Sequence, residues 1–176
     1  MKEETDRQRS GRTRRPFDPR RQQSYLVSNQ EVTVPLQVTD PLLDQVRGLK
    51  TALGVEDAGG IGRFSQRVVD GLCDAVGIQR IPVRVGGQRL VRGRLEFYGF
   101  CGMNGYMTLY SRTARRDLTV AFKTYFNTLV HEYMHHYDWH GLRIQSMHTA
   151  GFYRRVRDVY ARMLAGLDLP LTRSRT

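Results

Sequence analysis

Apolar side chains recur with helical spacing in two segments of the N-terminal half of the chain. The first segment, 42–53, ends at Gly54, and the second, 63–76, ends at Gly77. A glycine-rich break at 59–62 separates them. The pattern predicts two amphipathic helices that pack their apolar faces against a common core.

The spacing changes to strict alternation after the second helix. Residues 81–85 predict a strand that ends at a Gly86-Gly87 turn. Segments 95–101 and 106–111 predict two more strands, and the Asn104-Gly105 pair between them is typical of a tight hairpin. We therefore expect a small antiparallel sheet in the middle of the chain.

Helical spacing returns in the C-terminal part. It predicts a helix over 121–138, a loop over 139–148 and a last helix over 149–164 that ends at Gly166. The order of elements is helices, a small sheet and two further helices. This order predicts an α+β fold.

The length of 176 residues suits one domain. Residues 1–30 are rich in arginine, glutamine and serine, so we predict a disordered Arg-rich arm there, a folded domain over 31–168 and a tail over 169–176. The net charge of +11 is concentrated at the two ends of the chain, and the body is nearly neutral. The many arginines favour nucleic acid as a partner. They are equally explained by the base composition of the genome.

Composition also excludes several classes of protein. The two cysteines, Cys73 and Cys101, are too few for a disulfide scaffold or a four-cysteine zinc module. No apolar run approaches the ~20 residues of a membrane span, and no apolar stretch follows the charged N-terminus as in a secretory signal. We therefore expect a soluble protein of a reducing compartment, the cytoplasm, with no membrane partner.

All five histidines lie between residues 131 and 148, and two of them form an HExxH motif. His131 and His135 are four residues apart, so both imidazoles lie on one helical face and can reach one ion at ~2.0–2.1 Å. Glu132 lies beside that face, where a carboxylate can take a proton from an activated water and pass it to a leaving amine. The motif predicts a catalytic Zn²⁺ site.

The helical positions around the motif support this prediction. Phe126, Leu129 and Tyr133 fall on the face opposite the two histidines, which predicts an apolar back and a polar front that faces a cleft. Asp138 falls on the polar front about two turns beyond His131. We interpret it as holding the second ring nitrogen of a metal ligand.

A catalytic zinc needs a third protein ligand and one open position. His136 and His140 point away from His131 if the helix continues, although His140 turns inward if the helix ends by Trp139. His148, at the start of the next helix, would clamp the ion between two rigid elements. The residues alone leave His140 and His148 as alternatives.

The sequence around the HExxH motif resembles a known family. The segment HEYMH, followed thirteen residues after its second histidine by His148-x-x-x-Phe152, is similar to the SprT-like zinc metallopeptidase domain, over about residues 60–165. The resemblance implies a zincin-like fold and one Zn²⁺ held by His131, His135 and His148, with Glu132 as the catalytic base.

The family's best-known members, such as Spartan, cleave proteins crosslinked to DNA. This chain lacks the cysteines for the C-terminal zinc ribbon of many members, and it has Thr-Ala-Gly where members often carry a Gly-Pro-acidic sequence.

Four arginines on the last helix suggest a second partner. They admit two interpretations, a solvated face or a surface that contacts DNA phosphates together with the Arg-rich arm. The four are Arg154, Arg155, Arg157 and Arg162.

Two further groups border the predicted site. The strand 106–111 would either pair with an extended substrate or simply cover the core. Tyr153 would either donate to an oxyanion or pack against its neighbours.

The sequence thus predicts a zinc-dependent metalloendopeptidase that acts on protein or peptide substrates, including DNA-associated proteins. The alternative is a nucleic-acid-associated binding protein whose zinc site is structural or vestigial. The intact Glu132 favours the peptidase, because a structural site needs no base and normally closes its fourth position.

Overall fold

A computed structural model describes residues 18–93, 95–102 and 105–169 of the chain. Its elements, in chain order, are α1 Pro19–Gln30, α2 Asp40–Gly54, α3 Ala58–Val76, β1 Val83–Gln88, β2 Leu90–Arg92, β3 Leu95–Phe97, β4 Gly99–Gly102, β5 Tyr106–Arg112, α4 Phe122–His140 and α5 Ala150–Ala165. The mixture of helices and small sheets confirms the predicted α+β class.

Helices α2 and α3 form the pair that the apolar spacing predicts. Their inward side chains are buried, and Gly77 ends α3 in the left-handed conformation with a φ of 69°. The predicted glycine-rich break is wrong, because α3 already begins at Ala58. Gly60 allows a close approach there, since a Cβ at this position would lie 3.1 Å from the Cβ of Ala52 on α2.

The main sheet is mixed and not antiparallel as predicted. Its strand order is β1-β5-β4, with β1 parallel to β5 and β4 antiparallel to β5. The two-stranded β2–β3 sheet and strand β4 lie between β1 and β5 along the chain. This long connection allows β5 to pair with β1 in the parallel direction. β1 also continues to Gln88, because Gly86 fits against the ring of Tyr110 within the strand instead of turning.

The predicted hairpin is present between β4 and β5. Cys101 pairs with Met107 in the antiparallel register, and Gly105 in the connection has a φ of 86°. Asn104 lies outside the described residues.

The prediction of disorder over 1–30 is wrong for residues 19–30, where the chain forms α1. Asp18 caps this helix by accepting hydrogen bonds from the backbone N–H groups of Arg20 and Arg21. α1 buries the hydroxyl residues Ser24 and Ser28. A helix that is anchored by hydroxyls lacks the apolar stripe that predicts helices from sequence. Residues 1–17 and 170–176 of the predicted arm and tail lie outside the described part of the chain.

Helix α4 lies at the centre of the molecule, in contact with α5, α3, β4 and β5. Its predicted apolar back is fully buried at Phe126, Leu129 and Tyr133. The helix runs to His140, two residues beyond the predicted end, because its last turn still packs on the core through Tyr137 and Trp139. Within the residues that the structure describes, no helix is both long enough and apolar enough to cross a membrane.

Candidate metal centre

The imidazoles of His131, His135 and His148 meet at one point beside α4. The Nε2 atom of His148 lies 3.0 Å from that of His131 and 3.1 Å from that of His135. Three nitrogens that bind one tetrahedral zinc at ~2.0–2.1 Å are about 3.3 Å from one another. The observed spacing is close to this value, and the three histidines could hold a metal ion.

The structure brings His148, and not His140, to the two motif histidines. His148 lies in the loop just before Thr149, which caps the first turn of α5 by accepting a hydrogen bond from the backbone N–H of Phe152. His148 therefore lies at the end of the loop predicted over 139–148 and immediately precedes α5.

The surroundings keep the two motif histidines neutral. Burial, together with the other imidazoles, lowers the pKa of His131 to about 4 and that of His135 to about 3. A neutral imidazole offers a nitrogen lone pair, whereas an imidazolium offers only N–H donors. The two side chains are thus in the protonation state that a metal requires at neutral pH.

The ring of Phe152 packs against all three imidazoles. Its ring is fully buried, and its centroid lies 5.0 Å from that of His131, 4.8 Å from His135 and 5.1 Å from His148. Close packing on a rigid ring restricts the rotation of the imidazoles. The first turn of α5 therefore helps to hold the donors in position.

Glu132 lies on α4 next to the histidines and against strand β4. Its side chain is 8% exposed, and a Cβ at Gly99 would lie 2.9 Å from its Cγ. Burial raises the pKa of Glu132 to about 7, and a hydrogen bond from the backbone N–H of Cys101 opposes the rise. A carboxyl group with a pKa near neutrality can both accept and return a proton.

Asp138 reaches the metal centre through Ser146, a residue that no sequence pattern indicates. The hydroxyl of Ser146 lies 2.7 Å from Nδ1 of His135 and donates to Oδ2 of Asp138 at 2.9 Å. Burial raises the pKa of Asp138, while Arg155 and Ser146 oppose the rise. Asp138 therefore holds a ring nitrogen indirectly, and no local pattern around Ser146 could have revealed this.

The prediction that the arginines of the last helix face solvent or DNA is wrong for Arg155, whereas Arg162 is partly exposed and its guanidinium binds backbone carbonyls. Arg155 is completely buried and forms an ion pair with Asp138 at 2.8 Å. Arg162 donates to the carbonyls of Val34 and Leu36. Long arginine side chains can bind internal carbonyls that a local sequence pattern does not reveal.

The other residues predicted for the last helix are at the surface. Arg154 and Arg157 are exposed. Tyr153 is 48% exposed, and its ring lies against that of His148 with the centroids 5.7 Å apart. Its predicted role as an oxyanion donor stays a prediction.

His136 and His140 point away from the three-histidine cluster, as the helical positions predict. His136 is buried, and its Nε2 lies 2.6 Å from the carbonyl oxygen of Gln79. His140 packs against His136, with the ring centroids 4.4 Å apart. His136 thus connects α4 to the segment between α3 and β1.

The strand proposed to pair with substrate is not the one that the structure leaves open. β5, which covers the predicted segment 106–111, lies between β1 and β4 and already pairs with both. Among the described strands of this sheet, β4 lies at the edge next to Glu132. The backbone groups available at that edge therefore belong to β4.

Comparison of the chain with protein-family models, with curated proteins and with solved structures finds no match. The resemblance to the SprT-like domain therefore rests on the motif residues and stays a prediction. The donor set itself fits zinc, since three imidazoles converge on one point and a carboxyl group lies beside them.

Proposed function

We propose that the protein is a zinc-dependent metalloendopeptidase with a zincin-like domain. The observation that carries the proposal is the convergence of three histidine Nε2 atoms next to the buried carboxyl group of Glu132. A structural zinc site normally has four protein ligands and needs no base. Three ligands and an adjacent base are instead the arrangement of hydrolytic zinc sites.

Different residues of the chain would bind the metal and transfer the proton. His131, His135 and His148 would hold the ion, which when bound supplies a Lewis acid that polarises the scissile carbonyl and acidifies a water. Glu132 accepts the proton of the attacking water and returns it to the departing nitrogen. In the metal-free chain, burial raises the pKa of Glu132 to about 7, so the carboxyl group can exchange a proton near neutral pH.

The open edge of β4 provides a place for an extended substrate. Tyr98, just before β4, accepts a hydrogen bond from the backbone N–H of Tyr110 on β5, so the alternation of the ladder directs the backbone groups of Gly99 away from β5. The carbonyl of Cys101 points the same way, while its N–H is already donated to Glu132. A peptide that adds to this edge would lie alongside Glu132.

The test compares the zinc-loaded wild-type chain with Glu132→Gln in the digestion of an unfolded protein substrate such as casein. We expect both to bind one equivalent of zinc and only the wild type to cleave, with a loss of at least about 100-fold in the variant. Glu56→Gln, in the turn between α2 and α3, is the control and should cleave normally. Full activity of Glu132→Gln would contradict the mechanism.

The same experiment distinguishes the alternative function. A wild-type chain that binds zinc, cleaves nothing with or without single-stranded DNA, and binds DNA with a steep salt dependence would be a nucleic-acid-associated binding protein. The structure gives this alternative less support than the sequence does, because Arg155 and Arg162 are committed to contacts within the fold.

A further inference from the structure

We propose that helix α1 holds the metal ligands in position, and that Arg155 and Ser146 are positioning residues that connect α1 to His135. The proposal rests on metal binding by the three histidines, and it does not depend on peptidase activity. It assigns a role to a helix that lies outside the predicted domain and to an arginine predicted to face solvent.

The first part of the connection orders the protons at His135. Asp138 forms an ion pair with the Arg155 guanidinium through Oδ1 and accepts a hydrogen bond from Ser146 through Oδ2. The single hydroxyl hydrogen of Ser146 is donated to Asp138, which leaves the Ser146 oxygen to accept from Nδ1–H of His135. The lone pair of that imidazole is then on Nε2, which faces the other two histidines.

The second part connects Asp138 to α1. Arg155 donates from Nη2 to Asp138 at 2.8 Å and from Nη1 to the carbonyl of Ser28 at 2.7 Å. It also donates to the carbonyl of Glu31, at the C-terminal end of α1. A cation at a helix C-terminus binds carbonyls that lack partners within the helix and interacts favourably with the helix dipole. α1 thus supplies the acceptors that hold Arg155 against Asp138.

A separate contact connects α1 to the third histidine. The hydroxyl of Ser28 lies 2.7 Å from that of Thr149, the residue that follows His148 and caps α5. Asn29 accepts a hydrogen bond from the backbone N–H of Gly151 at 3.1 Å. A Cβ at Gly151 would overlap the carbonyl of Ser28, so the two helices can approach this closely only with glycine here.

Together these contacts connect the buried face of α1 to two of the three donors. His135 is held through Ser146, Asp138 and Arg155, and His148 is held through Thr149. Removing a group that orients a metal ligand typically weakens metal binding about 10- to 100-fold. Changes in this network should therefore lower zinc affinity although none of its members touches the ion.

The first test measures zinc affinity by competition with a chromophoric chelator, together with the visible spectrum of the Co²⁺-loaded protein. Ser146→Ala should bind zinc about 10- to 100-fold more weakly and change the cobalt spectrum, because His135 loses its Nδ1 acceptor. Ser146→Thr keeps the hydroxyl and should restore most of the affinity. This rescue would not occur if Ser146 only filled space.

A second comparison uses two arginines of the same helix. Arg155→Met and Arg162→Met each remove an ion pair and two bonds to backbone carbonyls of an N-terminal segment. Only Arg155 connects to the metal centre, so only Arg155→Met should weaken zinc binding and alter the cobalt spectrum. The double variant Arg155→Met/Asp138→Asn avoids an unpaired buried charge if the single variant does not fold.

A third comparison displaces α1 without removing any polar group. Gly151→Ala places a methyl group against the Ser28 carbonyl, whereas Gly62→Ala on α3 places one in open space. We expect weaker zinc binding in Gly151→Ala alone.

Wild-type zinc affinity and an unchanged cobalt spectrum in Ser146→Ala and Gly151→Ala would overturn this proposal and leave the peptidase proposal standing. Weakened zinc binding in these variants of a chain that cleaves no protein would support it and count against the peptidase. A wild-type chain that binds no divalent metal would overturn both.

Discussion

At the scale of single residues, Glu132 lies in surroundings that oppose its ionisation. Its pKa is raised from an ordinary 4.5 to about 7 because the carboxyl group is buried beside β4. A raised pKa means that the folded chain binds this proton more tightly than the unfolded chain. The stability from the protonated group is complete below pH 4.5 and is lost as the pH rises through about 7.

Glu132→Gln should therefore stabilise the metal-free protein at pH 8 and have little effect at pH 4.5. The gain at pH 8 should be about 3 kcal/mol at most, because one pKa unit corresponds to about 1.4 kcal/mol. Urea unfolding in the presence of a chelator at both pH values measures the difference. An equal effect of the substitution at the two pH values would show that the carboxyl group titrates alike in the folded and unfolded chains.

Phe152 acts at the same scale through packing. Phe152→Leu should cost about 1 kcal/mol in the free energy of unfolding. It should also weaken zinc binding about tenfold, because the three imidazoles lose the ring on which they pack. Phe126→Leu is a matched control, since Phe126 is equally buried on the opposite face of α4. Equal zinc affinities of the two variants would refute a positioning role for Phe152.

The residues of the site differ in how far the sequence could predict them. His131, Glu132 and His135 follow from the spacing of one helical turn. The residues alone leave His140 and His148 as alternatives for the third ligand, and only the resemblance to the SprT-like domain implies His148. Ser146 and Arg155 could not be predicted, because each acts through partners that only folding brings near. Arg155, for example, binds carbonyls of α1 that are more than a hundred residues away along the chain.

At the scale of secondary-structure elements, helices α2 to α5 follow from the spacing of apolar residues, whereas α1 and the parallel β1–β5 pair do not. α1 packs through hydroxyls and backbone contacts, which leave no apolar stripe in the sequence. Strand direction depends on how the chain crosses between strands, and alternation along a strand carries no information about it.

Strand β4 sets the position of Glu132, and Gly99 is the residue of β4 at which its backbone comes close to the Glu132 side chain. Gly99→Ala places a methyl group 2.9 Å from Cγ of Glu132 and 3.0 Å from Cγ2 of Thr128, so the carboxyl group must move. We expect peptide cleavage to fall at least about tenfold while zinc affinity is retained, because a misplaced base is costly to catalysis. Rates with casein and zinc titrations measure the two effects.

The control for this prediction is Gly87→Ala in β1, where the added methyl group meets open space. It should leave both cleavage and zinc binding unchanged. Normal cleavage by Gly99→Ala would indicate that β4 does not hold Glu132 in its working position.

At the scale of the whole molecule, the fold brings elements from both ends of the described chain to one centre. α4 supplies two histidines and the carboxyl group, the loop before α5 supplies the third histidine, and β4 closes one side. α1 is connected to this centre through Arg155, which donates a hydrogen bond to the carbonyl of Ser28. We propose that this assembly holds zinc by three imidazoles and leaves the fourth position open beside Glu132.

X-ray absorption at the zinc edge of the metal-loaded protein tests this arrangement. We expect three imidazole nitrogens and one further light atom from solvent, all at about 2.0–2.1 Å. His148→Ala should lose one of the imidazoles. A zinc with four imidazoles, with a sulfur neighbour, or with an unchanged spectrum in His148→Ala would contradict the proposed centre.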